Sequence, residues 1–432
     1  MASTSPAAER YSESYRRYVL AVLVLCYIAN VMDRNVLAQL LEPIRREFHA
    51  SDAELGLLSG IAFAFFYSVF GIPLAAWADR GSRRSVLAFA VGLWSVMTAL
   101  CGAATSFAGL LLARVGTAVG EAGGSPPSHS LIADYFPARR RATALALFAV
   151  AVPVGGALGA FLGGWGNELY GWRRTFLLVG LPGVLLALLV RFTIDEPSRD
   201  AAPGGVVVAP PPRLRESARF LWRCRAFRHL TLAAGLHSVV IYAAGAWSNS
   251  FLLRAHHVSS GAAGSWMALL QVAGIGGTLL GGLLADALSR RSGDARWYLW
   301  VPGIATVAGV PFQLLGYQAS ALAVVLGCFA VSTIAGATFF GPSFAVTQSI
   351  APPRMRALAA AVLLFMQTMI GLGIGPWAVG AVSDHLRPSL GDGRALGMGL
   401  TLVALVNLWA AAHYALSART YRADLAAAGA MA

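Results

Sequence analysis

Two charged residues stand side by side inside the first long apolar segment of the chain. Asp33 and Arg34 lie within the stretch from Tyr27 to Leu41, and most of the neighbouring side chains are apolar. One charge at mid-membrane costs about 2.5–3.5 kcal/mol on the insertion scale, so such a pair is expected to face a protein-lined or wet cavity. Asn30 lies three residues before Asp33 and shares its helical face. We therefore predict that this stretch, including Tyr27, forms the polar wall of a transport route. The alternative is that Asp33 and Arg34 form a solvated helix end.

A second polar stripe lies in the fourth apolar segment. Arg114 and Glu121 are seven residues apart, which is almost two helical turns and about 10 Å along one face. Thr117 lies between them, and Ser125 extends the same face. These residues are predicted to line the same route.

The depths of the two stripes are similar. The first segment is expected to run outward from Arg17, which places Asp33 about 24 Å along it, and the fourth to run inward from Gly109, which places Arg114 about 7 Å from its outer end. In a hydrocarbon core about 30 Å thick these depths nearly coincide. Asp33 and Arg114 are therefore expected to pair.

These residue types suit proton and anion binding. A carboxylate removed from water binds a proton more readily, whereas a nearby arginine opposes protonation. Asp33 is therefore the predicted proton-coupling residue, and Glu121 is a second proton site or the counter-ion of Arg114. The planar guanidinium of Arg114 matches a phosphate or carboxylate.

Composition requires a membrane protein. The chain has 432 residues, is 57% hydrophobic and 12% charged, and has a mean hydropathy of +0.64. Its apolar runs are too long and too continuous for barrel strands, so an all-α bundle is predicted. The predicted spans lie near residues 17–41, 55–78, 85–106, 109–134, 142–165, 175–195, 229–252, 262–285, 297–317, 321–346, 357–382 and 397–417.

The two sets of six spans are repeats. The stretch 78–84 recurs at 285–291, a shift of 207, and the stretch 137–142 recurs at 352–357, a shift of 215. Two related bundles with a site between them are expected of a secondary transporter that works by alternating access. A channel is the alternative.

Arginine placement predicts topology and domain boundaries. All 33 basic residues are arginine, and they concentrate in alternate loops, which predicts that both termini are cytoplasmic. The predicted parts are a cytoplasmic N-terminus (1–16), an N-terminal bundle (17–196), a cytoplasmic linker with an amphipathic helix (197–228), a C-terminal bundle (229–417) and a cytoplasmic tail (418–432). The net charge of +13 is explained by topology, so nucleic acid is not an expected partner. The expected partners are the substrate, protons and membrane lipids, with the chain a monomer.

Neither cofactor nor enzyme chemistry is indicated. The four cysteines show no paired spacing, which argues against a disulfide framework or a metal site. Ser125, His129 and Asp134 lie near one another, but no nucleophile-elbow glycine pattern surrounds the serine.

The repeated loops carry the most specific motifs. In each loop, an aspartate at a helix end is followed after a turn by an arginine pair. These charged groups could form a bridge between helix ends that opens and reforms. The predicted gating residues are Asp79, Arg83, Arg84, Asp286, Arg290, Arg291 and Arg139. Each loop resembles the loop signature of the major facilitator superfamily, and this resemblance implies its fold of twelve transmembrane helices in two pseudo-symmetric bundles.

Further stretches resemble the Spinster branch of that superfamily. They are Asn30-x-x-Asp33-Arg34 in the first span, Arg114 followed by 119–122 in the fourth, and 132–136 after it. The resemblance implies an amphipathic lipid substrate such as a lysophospholipid or sphingoid phosphate. It also implies that Asp33, Arg34, Arg114 and Glu121 are the coupling and recognition residues. The predicted location is the plasma membrane, here a bacterial inner membrane.

The second half is poorer in charge. His237 and Asn249 in the seventh span are its predicted substrate-binding residues, although a lone polar group in a bundle is usually just bonded to a neighbour. A charged first half and an apolar second half suit a molecule with a charged head and a long tail. Many drug exporters would fit as well, so a proton-coupled small-molecule or drug antiporter of the same fold is the alternative.

Overall fold

The computed structural model describes residues 11–197, 214–352 and 355–429, and these residues form helices and short connections without a strand. The first-half helices are α1 (Glu13–Phe48), α2 (Asp52–Gly56), α3 (Ala62–Arg80), α4 (Arg83–Ala103), α5 (Phe107–Ala122), α6 (Ser125–Tyr135), α7 (Ala138–Ala149) and α8 (Ala151–Thr193). The others are α9 (Leu214–Arg223), α10 (Arg225–Ala255), α11 (Ser260–Ser292), α12 (Trp297–Gln318), α13 (Leu322–Ala337), α14 (Phe340–Ile350), α15 (Arg356–Met366), α16 (Gly373–Leu390), α17 (Asp392–Ala404) and α18 (Val406–Gly429). Two π-helical turns, Leu57–Ile61 and Gln367–Leu372, join α2 to α3 and α15 to α16.

The helices are consistent with the predicted number of spans. Within the described residues, ten helical stretches are long and apolar enough to cross a membrane. One of them, Arg139–Thr193, turns at Gly171 (φ 78°) and so contains two spans. The stretch from α5 to α6 is interrupted at residues 123–124 and adds another. The architecture is the predicted all-α polytopic one, and the count is consistent with twelve spans.

Local sequence explains where the first helices begin and end. The Ser12 hydroxyl accepts the Tyr15 amide (3.2 Å) and caps α1, which ends at His49 in the left-handed conformation. Ser51 and Glu54 form a reciprocal capping box at the start of α2. Both caps satisfy amides that a helix N-terminus leaves without a helical partner.

The first of two compact units consists, among the described residues, of 11–50, 62–197 and 259–268. Its core is built around the buried side chains of Leu23, Trp94 and Tyr135. Glycines in α8 let this helix approach α1 closely. A Cβ at Gly155 or Gly159 would lie 2.6 Å from the carbonyl oxygens of Ile28 and Met32, respectively.

The second unit consists of residues 51–61, 214–258, 269–352 and 355–429. Its core includes Leu230, Phe339 and Tyr414. The last helix continues to Gly429, beyond residue 417, and half of the predicted linker, residues 198–213, lies outside the described residues. Each unit contains a short segment from the other half of the sequence, an exchange that the repeat pattern does not reveal.

Candidate functional site

The first unit holds a buried cluster of two acids and two arginines. Nε of Arg34 in α1 donates to Oε2 of Glu121 near the end of α5. The Glu121 side chain is fully buried, whereas about one third of the Arg34 side chain (33%) is exposed. The acid is thus held in the protein interior by an arginine that keeps some access to solvent.

Asp33 lies in the same cluster and is bonded to α4. It is 2% exposed, and its Oδ2 accepts a hydrogen bond from the Thr98 hydroxyl (2.9 Å). Among the described residues, no ion pair joins Asp33 to Arg114, so the pairing expected from helix depth is not observed. Depth along a helix axis does not fix which way a long side chain turns, and the arginine that reaches an acid is Arg34.

Arg114 instead lies against an aromatic ring. It is 4% exposed, and its Cζ is 4.6 Å from the centre of the Phe63 ring. Arg34 lies 5.2 Å from the same ring and 4.7 Å from that of Tyr67. Cation–π contact stabilises both arginines without neutralising either. Arg114 therefore remains able to bind an anion.

Four buried polar atoms of this cluster have no hydrogen-bond partner among the residues that the structure describes. They are Nδ2 of Asn30, Oδ1 of Asp33, Nε of Arg114 and Oε1 of Glu121. Leaving a buried donor or acceptor unpaired costs about 1–3 kcal/mol, and more for a charged group. Such groups in a native protein call for a functional explanation or a ligand. The arrangement can bind protons on its carboxylates, and water or a polar head group between its acids and arginines.

The other predicted substrate-binding residues of the first unit are Tyr27 on α1, Thr117 on α5 and Ser125 on α6. The Tyr27 ring stacks on Phe148 with centres 4.6 Å apart, and Ser125 is the half-buried first residue of α6. Thr117 is fully buried and donates to the Ala113 carbonyl of its own helix (3.1 Å).

The two predicted residues of the second unit are both buried. His237 is bonded through both ring nitrogens, to Oδ1 of Asn407 (2.8 Å) and to the carbonyl oxygen of Gly336 (2.9 Å). Asn249 is 1% exposed. Each side chain is therefore enclosed by protein in this structure.

The first repeated loop forms a dense ionic network. Arg83 is buried and donates to Asp134, to Glu196 (2.9 Å) and to the Pro197 carbonyl (3.0 Å). The main-chain amide of Arg84 also donates to Glu196 (2.8 Å). Burial raises the pKa of the Glu196 carboxyl, but these bonds outweigh burial and hold that pKa below its usual range. Asp79, the other predicted residue here, is exposed at the end of α3.

The second loop is bonded differently. Asp286 accepts a hydrogen bond from the Tyr298 hydroxyl (2.5 Å). Arg290 and Arg291 are exposed, as is Arg139. The two copies of the motif therefore differ in how their arginines are engaged.

Sequence reasoning missed two aromatic residues and one hydroxyl of the site. Phe63 and Tyr67 are four residues apart and so share a helical face, but aromatic residues are common in any apolar span. Thr98 is one of few polar residues in α4, and Ser95, three residues earlier, carries the same signal.

An ionic network in the second unit was also missed. Asp52 is fully buried and forms two bonds with Arg254 (2.8 and 2.9 Å), and it accepts further bonds from Ser383 (2.7 Å) and Arg387 (2.8 Å). Asp384 accepts the main-chain amides of residues 52 and 53. In sequence, Asp52 resembles an ordinary acidic residue in the first turn of a helix.

Comparisons with known proteins identify the family. Residues 23–376 match the model of the Major Facilitator Superfamily. An MFS-type efflux pump of Mycolicibacterium smegmatis is 34% identical over 97% of this chain and 96% of its own length. A sphingosine-1-phosphate transporter of Danio rerio is 26% identical over 84% of this chain and 75% of its own length.

A solved structure supports the same assignment. The crystal structure of a bacterial homologue of the human lysosomal transporter Spinster, inward-facing and unoccupied, superimposes with a TM-score of 0.90. It is 32% identical and covers 96% of this chain and 99% of its own chain. The chain therefore belongs to the major facilitator superfamily of membrane transporters and resembles its Spinster branch.

Proposed function

We propose that this protein is a proton-coupled secondary transporter that moves an amphipathic anionic lipid of lysophospholipid or sphingoid type by alternating access. The observation that carries the proposal is the buried cluster of Asn30, Asp33, Arg114 and Glu121, each with an unpartnered polar atom. Buried polar and charged groups are energetically costly inside a membrane protein, so they are expected to lie on a substrate or ion pathway.

Charge balance in the cluster links the proton to the substrate. Asp33 and Glu121 balance Arg34 and Arg114 when all four are ionised. Proton uptake by either acid leaves one positive charge in excess, in a site that excludes most water. An anionic head group that binds Arg114 restores neutrality. Proton and anion are therefore expected to bind together.

The aromatic residues favour a substrate that is only partly polar. Phe63 is buried against both arginines, and Tyr67 extends the ring surface along α3. A phosphate or carboxylate could bind Arg114 through two donors, while an apolar tail passes along the rings. The name of the Danio rerio relative, a sphingosine-1-phosphate transporter, supports this class of substrate.

The loops are proposed to act as latches between transport states. Arg83, bonded to Asp134 and Glu196, is the anchor of the first, and Asp286 is the acid of the second. Asp79, Arg84, Arg139, Arg290 and Arg291 complete the proposed gating residues. We place the protein, as a monomer, in a bacterial inner membrane with both termini cytoplasmic.

A proton-coupled drug antiporter is the second candidate. Its support is the 34% identity with an efflux pump over nearly the whole chain. In this mode a cationic substrate would bind a carboxylate and displace its proton, so Asp33 or Glu121 would be the ligand in place of Arg114.

A binding screen separates the two candidates. Purified protein is heated with a lysophospholipid, a sphingoid phosphate or a lipophilic cation, and the shift in melting temperature is measured for wild type, Arg114→Ala and Asp33→Asn. Lipid-dependent shifts that Arg114→Ala abolishes support the lipid proposal. Melting-temperature shifts that only cations produce and that Asp33→Asn abolishes would contradict the lipid proposal and support the antiporter proposal.

A further inference from the structure

A chain of hydrogen bonds runs through the interior of the second unit. It starts at the carbonyl of Gly336 in α13, passes through both ring nitrogens of His237 in α10, and continues to Asn407 in α18. Nδ2 of Asn407 then donates to Oε1 of Gln313 in α12 (3.1 Å). His237 is 2% exposed and Asn407 is 1% exposed, so the middle of this hydrogen-bond chain is closed to solvent.

The arrangement gives His237 two acceptors and no donor. The Gly336 carbonyl can only accept, and Asn407 presents its amide oxygen because its nitrogen is turned to Gln313. A neutral imidazole has one donor and one acceptor, so only the imidazolium, with two N–H groups, satisfies both partners. Gly336 is also the second-last residue of α13, and a helix C-terminus favours a positive charge.

The neutral ring requires a different arrangement of the same residues. If Nδ1 loses its proton it needs a donor, so the Asn407 amide must turn over and present its nitrogen. Its oxygen then faces Gln313, whose amide must turn over as well. The proton on His237 therefore sets the orientation of two amides on two further helices.

The sequence repeats relate the residues of this hydrogen-bond chain to residues of the first-unit cluster. With the shift of 207, His237 corresponds to Asn30, which is three residues from Asp33. With the shift of 215, Gly336 corresponds to Glu121 and Gln313 to Thr98, the residue that binds Asp33. Helix breaks also correspond, at 123–124 and 338–339. His237 is thus the titratable side chain among the second-half positions that correspond to Asn30, Asp33, Thr98 and Glu121.

We propose that His237 is a second proton-binding site of this transporter and that its proton state is relayed through Asn407 to Gln313. Among the described residues, no charged side chain bonds to the ring. Its partners on α13 and α18 are neutral, as is Gln313 on α12, which bonds to Asn407, and Phe339 packs against the ring with ring centres 4.8 Å apart. The site goes beyond the proposed function, since it can bind a proton whatever the substrate is.

The test is NMR of histidine labelled with ¹⁵N and ¹³C in protein reconstituted in nanodiscs. The chain has eight histidines, and the signal absent from His237→Gln identifies the ring. His413→Gln is the matched control, because it removes a second-unit histidine that is bonded to His229 instead. We expect His237 to change from doubly protonated to neutral between pH 5 and pH 9.

Two substitutions of Asn407 separate a relay from a structural role. Asn407→Asp offers only acceptors, so His237 should keep its second proton to a pH higher by about one to three units. Asn407→Leu removes the acceptor, so the proton should be lost at a lower pH than in wild type. A ring that stays in one neutral tautomer across this range, in wild type and in Asn407→Asp alike, would overturn the proposal. Because no substrate is present, this outcome is independent of whether Asp33 and Glu121 couple transport to protons.

Discussion

The buried Arg34–Glu121 ion pair is predicted to stabilise the folded protein. Arg34→Met removes the guanidinium and leaves the Glu121 carboxylate, whose side chain is fully buried, without its ion-pair partner. Removing one partner of a buried pair costs about 3–5 kcal/mol, because an uncompensated charge stays in the interior. About one third of Arg34 is exposed, so the lower end of this range is expected.

The assay is thermal unfolding of purified protein in detergent, as a function of pH. At pH 8, Arg34→Met should melt well below wild type. Adding Glu121→Gln should restore most of the loss, because the neutral amide has no charge to be stranded. At pH 5 the single variant should recover in part, since Glu121 can then take up a proton.

An exposed pair provides the control. Arg17 and Glu13 are separated by one helical turn of α1 and lie 2.5 Å apart, but their side chains are 75% and 46% exposed. Arg17→Met should leave the melting temperature almost unchanged, because water replaces the lost contact. If Arg34→Met behaves like Arg17→Met, or if Glu121→Gln does not rescue it, the buried pair is not a stabilising interaction.

Three further predictions concern positions outside this cluster. Asp52→Asn should destabilise the protein by about 3–5 kcal/mol, since it removes the carboxylate charge that pairs with the buried Arg254, and a melting curve checks this. Gly159→Leu should lower the yield of folded protein, measured by size-exclusion chromatography, because even its Cβ would lie 2.6 Å from the Met32 carbonyl oxygen, whereas Gly276→Leu, which meets nothing within 4 Å, should not. The pKa of Glu196 is lower in the folded protein than its unfolded value of about 4.3, so Glu196 stabilises the fold above pH 4.3 and loses this effect as pH falls further. Melting curves of wild type and Glu196→Gln should therefore differ at pH 7 and converge in acid.

Residue type alone located most of the charged cluster. Asn30, Asp33, Arg114 and Glu121 stand out because polar groups are rare and costly inside apolar helices. The partner of Glu121 could not be deduced in the same way. Arg34 lies in the first span and Arg114 in the fourth span itself, and the choice between them depends on side-chain direction and on the position of Phe63.

The remaining interactions could not be predicted because the partner residues are far apart in the sequence. Asp52 is 202 residues from Arg254 and still farther along the chain from Arg387, and nothing in its neighbourhood indicates that residues 51–61 pack with the second unit. His237 is predicted from the sequence to bind substrate. Its two acceptors come from helices far away in sequence, so the need for a second proton became visible only in the folded arrangement.

The central claim is that proton binding in the first-unit cluster drives substrate movement. Its most direct test is substrate uptake by proteoliposomes with an imposed pH gradient, with a pH-sensitive dye inside to record proton flux. We expect wild type to move lysolipid and protons together, Asp33→Asn to lose the dependence on the gradient, and Asp33→Asn combined with Glu121→Gln to move no protons. Uptake by the double variant that still follows the pH gradient would contradict the account.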